Sequence, residues 1–544
     1  MKQLIECVPN ISEGRDKNII DQVTAEIEKV EGVKLLDVDP GMTTNRTVIT
    51  FVGEPEPVCE AAYRVVKKAA ELIDMSQHHG AHPRQGATDV CPLIPVSNIT
   101  MEEVVEYAHK LGKRLGEELN IPIYCYEEAA YIKERRNLAY CRTGEYESLA
   151  HTGATQVGAR DFLVAINYNL NTTSTRRANA IAFDVREKGR PMREGGKVTG
   201  KPMKDENGKP IMIPGTLKAT KAIGWFIEDY GIAQVSMNIT NISVSPVHVC
   251  FEEVCAKAAA RGVRVTGCEI VGLVPKKVLM DAGRFYLAKQ QRSLGVSEEE
   301  IMKIAIKSMG LDDLKPFDPK EKVIEYLIED HSQKKLVDMT CTGFANETAS
   351  ESPAPGGGSI SAYMGALGAS LATMVANLSS HKPGWDERWE EFSNWAVKGQ
   401  AIKDELLELV DEDTNAFNKI MDAFGLPKKT DEEKAARSAA IQEATKYATQ
   451  VPFRTMKVAF KAFEVVRAMA ETGNPNSVTD AGVGALCARS AVMGAHLNVK
   501  INASSLKDEA FKAEILKEAA EIEAAALVQE AEILQIVNKV IAGE

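Results

Sequence analysis

The chain has 544 residues, of which 44% are hydrophobic, 26% charged and 6% aromatic, enough for about three domains with sizeable cores. Its formal net charge of −12 argues against nucleic acid as the main partner, because duplex binding rests on cationic contacts to phosphate; small anions need only a local basic pocket. Ten cysteines are scattered without a Cys-x-x-Cys pair, which argues against a disulfide framework or zinc ribbon and fits a reducing cytoplasm.

The first residues read directly as a strand, with no signal-peptide core, and no apolar run is expected to be long enough to span a bilayer. Residues 35–39 and 47–52 predict strands, 57–73 an amphipathic helix and 87–94 another strand. Between that helix and strand runs Ser76-Gln77-His78-His79-Gly80-Ala81-His82-Pro83-Arg84-Gln85-Gly86, which holds three of the nine histidines. Imidazole gives and takes protons near neutral pH, and loops between regular elements commonly present catalytic groups. Arg84 offers a planar fork to a carboxylate, and Asp39 is a candidate for orienting an imidazole. Two other readings stand beside this one, a surface loop with scattered histidines and a zinc site. The zinc site is weakened because no Cys or carboxylate stands at a ligand spacing.

The strand and helix signals then repeat, with strands over 162–166 and 233–237 and helices over 175–188 and 247–261. This pattern predicts an α+β protein with two successive α/β-sandwich subdomains, 1–152 and 153–328. Residues 189–215, rich in Gly, Pro and Lys, read as an inserted hairpin or loop. Arg190, Arg193, Lys197, Lys201, Lys204 and Lys209 on it could meet a polyanionic tail, although a solvated loop is the simpler reading.

A charged linker over 329–336 leads to an all-α helical-bundle domain over 337–544, where apolar residues recur at helical spacing. Asp413 falls on that stripe, three residues after Val410 and four before Phe417. A carboxylate there is costly to ionise, so its pKa should rise towards the range useful in acid–base chemistry. The alternative is a partly exposed Asp at the stripe's margin; Asp411 and Glu412 read as solvated face. Gly356, Gly357, Gly358 and Ser359 open a small-residue helix over 360–378 and offer backbone N–H groups to a polar ligand, but no Gly-Lys-Ser/Thr follows, as a nucleotide loop would require. A second loop, with Asn474, Asn476 and Asp480, precedes another small-residue helix; taken singly it could be a helix cap. Together the two loops and the stripe Asp predict a small-molecule pocket.

Several of these segments carry a family resemblance. Glu6-Cys7-Val8-Pro9-Asn10-Ile11-Ser12-Glu13-Gly14, Thr44-Asn45-Arg46-Thr47 and Gly80-Ala81-His82-Pro83-Arg84 resemble the N-terminal subdomain of formiminotransferases. Gly224-Trp225, Gln234-Val235-Ser236-Met237-Asn238 and Glu269-Ile270-Val271-Gly272-Leu273-Val274-Pro275 resemble the C-terminal subdomain. Pro355-Gly356-Gly357-Gly358-Ser359 with Val410-Asp411-Glu412-Asp413 resembles the cyclodeaminase domain. The chain therefore resembles the bifunctional formiminotransferase-cyclodeaminase family from end to end.

The resemblance implies transfer of the formimino group from N-formimino-L-glutamate to tetrahydrofolate, the co-substrate. Cyclodeamination of 5-formiminotetrahydrofolate to 5,10-methenyltetrahydrofolate would follow, without a metal. It places the transferase acid/base on His82 and the deaminase catalytic residue on Asp413, with Gly153 among the substrate-binding positions. It also implies a homo-oligomer, a ring of dimers with partly shared active sites, formed through the small-residue helices. The family usually carries a longer stretch after its Gly-Glu-Tyr-Glu motif, but here Gly144-Glu145-Tyr146-Glu147 is followed almost at once by Gly153. That implies a more open transferase pocket and a raised Michaelis constant for tetrahydrofolate. The rival expectations are a folate-binding scaffold without transferase activity and a protein that keeps only a deaminase or cyclohydrolase activity.

Overall fold

A computed structural model describes residues 3–42, 45–79, 85–143, 151–196, 200–228, 230–329 and 335–543. The chain divides into a sheet-bearing unit, residues 1–282 with 306–329, and a helical unit, residues 283–305 with 330–544.

The sheet-bearing unit starts with seven strands: β1 (Leu4–Cys7), β2 (Asn10–Ile11), β3 (Val33–Gly41), β4 (Arg46–Gly53), β5 (Thr88–Ser97), β6 (Ile123–Glu127) and β7 (Thr155–Ala159). β4 pairs antiparallel with β3 and with the β1–β2 segment, which pairs in turn with β5. β7 lies parallel between β5 and β6. That pairing carries the first sheet to Ala159, beyond the break expected at 152/153. Strand alternation sends Ile5 and Cys7 into a core beneath α1 (Lys17–Glu28), α2 (Pro55–Leu72) and α3 (Met101–Leu119), and turns Glu6 to the opposite face.

A second, four-stranded antiparallel sheet contains β8 (Val164–Leu170). The insertion then adds β9 (Arg190–Pro191) and β10 (Met212–Ile213), which pair as a hairpin. The sheet continues with β11 (Thr220–Ile227), β12 (Ile232–Ile239) and β13 (Val265–Val271), in the order β11-β12-β8-β13. Its apolar face, with Ile166, Tyr168, Val235 and Met237 buried, is covered by α4 (Thr175–Val185) and α5 (Val247–Ala259).

The helical unit is a bundle of α6 (Gly357–Ser380), α7 (Trp389–Gly425), α8 (Asp431–Thr472), α9 (Val478–Ser504) and α10 (Glu509–Ala542). Buried alanines at 362, 366, 369, 372 and 376 run along α6 and let it pack closely against α7 and α9. At 24 residues, α6 is long and apolar enough to cross a membrane, contrary to the sequence expectation, because the small residues that pack the bundle also score as apolar. Pro452, inside α8, cannot donate to the carbonyl of Ala448, and Asn502 Nδ2 from α9 donates to that oxygen instead at 2.7 Å. Residues 283–305 join the bundle through Leu294 N–H, which donates to Ser393 Oγ at 2.9 Å, and through Asn377 Nδ2, which donates to the Gly295 carbonyl at 2.8 Å.

Candidate functional site

In the sheet-bearing unit His82 and Arg84 lie outside the described residues, as does the short segment 144–150, but the structure fixes both ends of the histidine loop. On the incoming side His78 Nε2 is 2.9 Å from the Asn45 carbonyl, and Asn45 Nδ2 donates to the His79 carbonyl at 3.1 Å. Asn45 adopts the left-handed conformation, φ 48°, and its Oδ1 accepts the Gly14 N–H at 3.0 Å. On the outgoing side Gln85 N–H donates to Asp89 Oδ1 at 2.9 Å, and Ala154 N–H to the Gln85 carbonyl at 3.0 Å. Gly153, with φ 69°, bridges to Gly86, and a Cβ there would lie 2.0 Å from the Gln85 carbonyl oxygen. The position expected to bind substrate therefore closes the base of the loop. Asp39 is exposed on β3, paired with Val48, and no described contact joins it to a histidine.

Two groups here escaped sequence reasoning. His151 Nδ1 lies 3.4 Å from Asp74 Oδ1, at the start of the loop. Hydrogen bonds from Ser76, with His151 beside them, hold the Asp74 carboxyl below the usual carboxylate range. Glu6 is buried, and burial lifts its carboxyl to about 7, partly opposed by the Arg160 guanidinium. Its signal was a lone acidic residue between Ile5 and Cys7 in a strand.

The second sheet also keeps a polar face. Gln234 Nε2 donates to Asn169 Oδ1 at 2.8 Å, and Trp225 Nε1 to Gln234 Oε1 at 3.1 Å, across three neighbouring strands. Alternation of Gln234, Ser236 and Asn238 with Val235 and Met237 is what places these groups together. On the inserted hairpin, Arg190 pairs with Asp184 at 3.3 Å and Arg193 donates to the Gly200 carbonyl at 2.9 Å, so both hold the fold locally. Lys201, Lys204 and Lys209 are exposed, and Lys197 lies outside the described residues.

In the helical unit three expected residues meet. Ser359 N–H, in the first turn of α6, donates to Asp413 Oδ2 at 2.9 Å. Ser359 Oγ lies 3.3 Å from the same oxygen and donates to the Val410 carbonyl at 2.8 Å. A Cβ on Gly358 would lie 2.1 Å from Asp413 Oδ1, so only glycine admits this carboxylate. Burial raises the Asp413 pKa above the usual carboxylate range, and the Ser359 hydrogen bonds hold it back. Asp413 is half-buried, and Phe417 is 41% exposed rather than part of the core, because beyond Val410 the positions of α7 that face the core are Ala416 and Ala423. Asp411 accepts the Leu336 N–H at 2.6 Å and Glu412 accepts the Tyr447 hydroxyl, so both are tied into the fold.

Asn474 and Asn476 lie at the other end of α6. Asn474 N–H donates to Ser379 Oγ at 2.8 Å, and both asparagines line a cavity of about 790 Å3 with His381, Lys382 and Lys403. Asp480 is half-buried in the first turn of α9. At 1.5 Å rise per residue the two ends of α6 are roughly 30 Å apart, so one copy of the chain does not bring both loops to Asp413.

Three family models match the chain. The formiminotransferase domain, N-terminal subdomain, matches residues 4–163, the formiminotransferase domain 165–329, and formiminotransferase-cyclodeaminase 340–521. A formimidoyltransferase-cyclodeaminase of Mus musculus is 40% identical over 532 residues, 94% of each chain. A glutamate formimidoyltransferase of Streptococcus pyogenes is 39% identical over 53% of this chain and 94% of its own length. A methenyltetrahydrofolate cyclohydrolase of Methylorubrum extorquens is 42% identical over 33% of this chain and 86% of its own length.

Proposed function

Because this chain belongs to the formiminotransferase-cyclodeaminase family, we propose that it carries two consecutive one-carbon reactions on folate, one in each unit. It is an enzyme that transfers the formimino group of N-formimino-L-glutamate to tetrahydrofolate and then converts 5-formiminotetrahydrofolate to 5,10-methenyltetrahydrofolate and ammonia. The observation that carries this reading is the match to the two-activity relative over 94% of both chains. A folate-binding scaffold, or a chain with an impaired transferase half, is the weaker reading, because each half also matches a relative named for an activity.

In the first reaction N5 of tetrahydrofolate attacks the formimino carbon and must lose a proton, while the departing glutamate nitrogen must gain one. His82 is our candidate for both transfers, with Arg84 and the Gly153 turn placing the glutamate carboxylates. What supports this is the loop's fixed base, hydrogen-bonded at Asn45 and Asp89.

In the second reaction N10 attacks the carbon already held on N5 and gives up its proton, and the bond to the departing nitrogen breaks as that nitrogen takes a proton and leaves as ammonia. The Asp413 carboxyl, pushed up by burial and held by Ser359, is our candidate donor. An exposed apolar stripe supports pairing of two copies through α6 and α9. Leu367, Met374 and Leu378 lie on one helix and Val483, Leu486 and Leu497 on the other. Antiparallel pairing would set Asp413 of one copy near the Asn474 end of the next, as a shared site requires. A reducing, cytoplasmic setting is part of this reading, because the ten cysteines are scattered without a Cys-x-x-Cys pair.

Two separate assays test the reading on the purified chain. N-formimino-L-glutamate with tetrahydrofolate should yield free glutamate, and supplied 5-formiminotetrahydrofolate should yield ammonia. Failure of either assay would remove the corresponding half of the proposal.

A further inference from the structure

α6 packs against both α7 and α9, and each of them brings one polar side chain to its first turn. From α7 comes Asp413, whose Oδ1 lies 2.1 Å from where a Cβ on Gly358 would stand. From α9 comes Asn498, whose Nδ2 and Oδ1 lie 3.3 and 3.7 Å from where a Cβ on Gly357 would stand. Gly357 and Gly358 are consecutive, with Cα atoms about 3.8 Å apart, so the carboxylate and the amide border one small patch of bare backbone. Gly357 is exposed, and Asn498 and Asp413 are half-buried, so all three keep surface that a small molecule can touch. Asn498 Nδ2 donates to the Gly494 carbonyl at 2.9 Å, one turn back on α9. That bond fixes which end of the amide is the nitrogen, and among the described residues no donor reaches Oδ1.

The two groups offer different things: a carboxyl exchanges a proton, whereas an amide oxygen only accepts a hydrogen bond. The formimino nitrogen of the deaminase substrate needs both. It takes a proton on its way to ammonia, and it carries an N–H before that proton arrives. We propose that Asn498 Oδ1 accepts this N–H and holds the nitrogen against Asp413, an assignment that rests on the deaminase activity proposed above. An acceptor in this place also sets specificity. A formyl group on N5 puts an oxygen where the formimino group has N–H, and two acceptors facing each other repel. Asn498 belongs to none of the sequence motifs that mark the glycine turn or the aspartate. The other role open to it is structural, with its amide serving only to tie the side chain to the Gly494 carbonyl.

The test measures ammonia release from 5-formiminotetrahydrofolate with 5-formyltetrahydrofolate as the competitor. Asn498→Leu removes the acceptor and should lower kcat/KM by roughly tenfold to a hundredfold, while the formyl compound inhibits at least as well as before. Asn498→Asp keeps an oxygen for the N–H but cannot donate to Gly494, so its kcat/KM should stay within roughly fivefold of the unaltered protein. A purely structural amide would make both variants equally damaging. Formimino transfer should be the same in all three proteins. Undiminished ammonia release in Asn498→Leu, a formyl compound weakened in step with the substrate, or equal damage in both variants would overturn the assignment. Absence of ammonia release from the unaltered protein would remove the deaminase activity, and this assignment with it.

Discussion

In the sheet-bearing unit the candidate proton carrier belongs to a loop whose two ends are held, by Asn45 on one side and by Asp89 and Gly153 on the other. In the helical unit it belongs to the middle of a helix, and its carboxylate is gripped by the first turn of a second helix. The two arrangements distribute tolerance differently. The loop centre depends on a few hydrogen bonds at its base. The helix centre depends on close packing, so a single added methyl group can disturb it.

That contrast can be broken most sharply at His82. His82→Ala should lower formimino transfer by roughly a hundredfold to ten-thousandfold, with ammonia release from supplied 5-formiminotetrahydrofolate unchanged. Steady-state rates of the two half-reactions decide it, and retained transfer would move the acid–base role elsewhere, with His151 the next group to examine. In the helical unit the packing argument is read at Gly358. A Cβ there would lie 2.1 Å from Asp413 Oδ1, so Gly358→Ala must displace the carboxylate. Ammonia release should fall by roughly tenfold to a hundredfold while transfer is untouched.

Two smaller effects compare the cores of the units. Glu6 is buried with its carboxyl lifted to about 7, so the folded state favours the protonated form. Its contribution to stability is full below the ordinary carboxylate value, and about 3 kcal/mol of it is lost as pH rises from about 4.5 through about 7. Urea midpoints measured across that range should fall in the unaltered chain and flatten in Glu6→Gln. In the bundle, Asn502→Leu should leave the Ala448 carbonyl unpaired opposite Pro452. We expect a loss of about 1–3 kcal/mol in the urea-induced unfolding of the helical unit, with transferase activity retained.

What the sequence made legible follows the same division. Strand alternation and helical spacing revealed the two sheets and the bundle, because both periods are set by backbone geometry. Asp413, Gly358 and Ser359 could be singled out because an acidic residue on an apolar stripe and a run of glycines before a helix are local signals. Their meeting needed the fold. Distance along α6 was not legible either: Asn474 and Asn476 belong to a loop that resembles a partner for the glycine turn, yet it sits at the far end of the helix. Asn377 carries no local signal at all, since a buried amide acquires its meaning only from the carbonyl it faces. Glu6 did carry one, a carboxylate alternating with core residues, which becomes informative once the opposite face of the sheet is known to be buried as well.

The central claim, that one chain carries two separable centres in sequence, is tested most directly with Asp413→Asn. The substitution keeps an oxygen for the Ser359 N–H but removes the titratable proton. Supplied with N-formimino-L-glutamate and tetrahydrofolate, the unaltered protein should release glutamate and ammonia in equal amounts. The variant should release glutamate at the normal rate while 5-formiminotetrahydrofolate accumulates and ammonia does not appear. Undiminished ammonia from the variant, or loss of glutamate and ammonia together, would contradict the account.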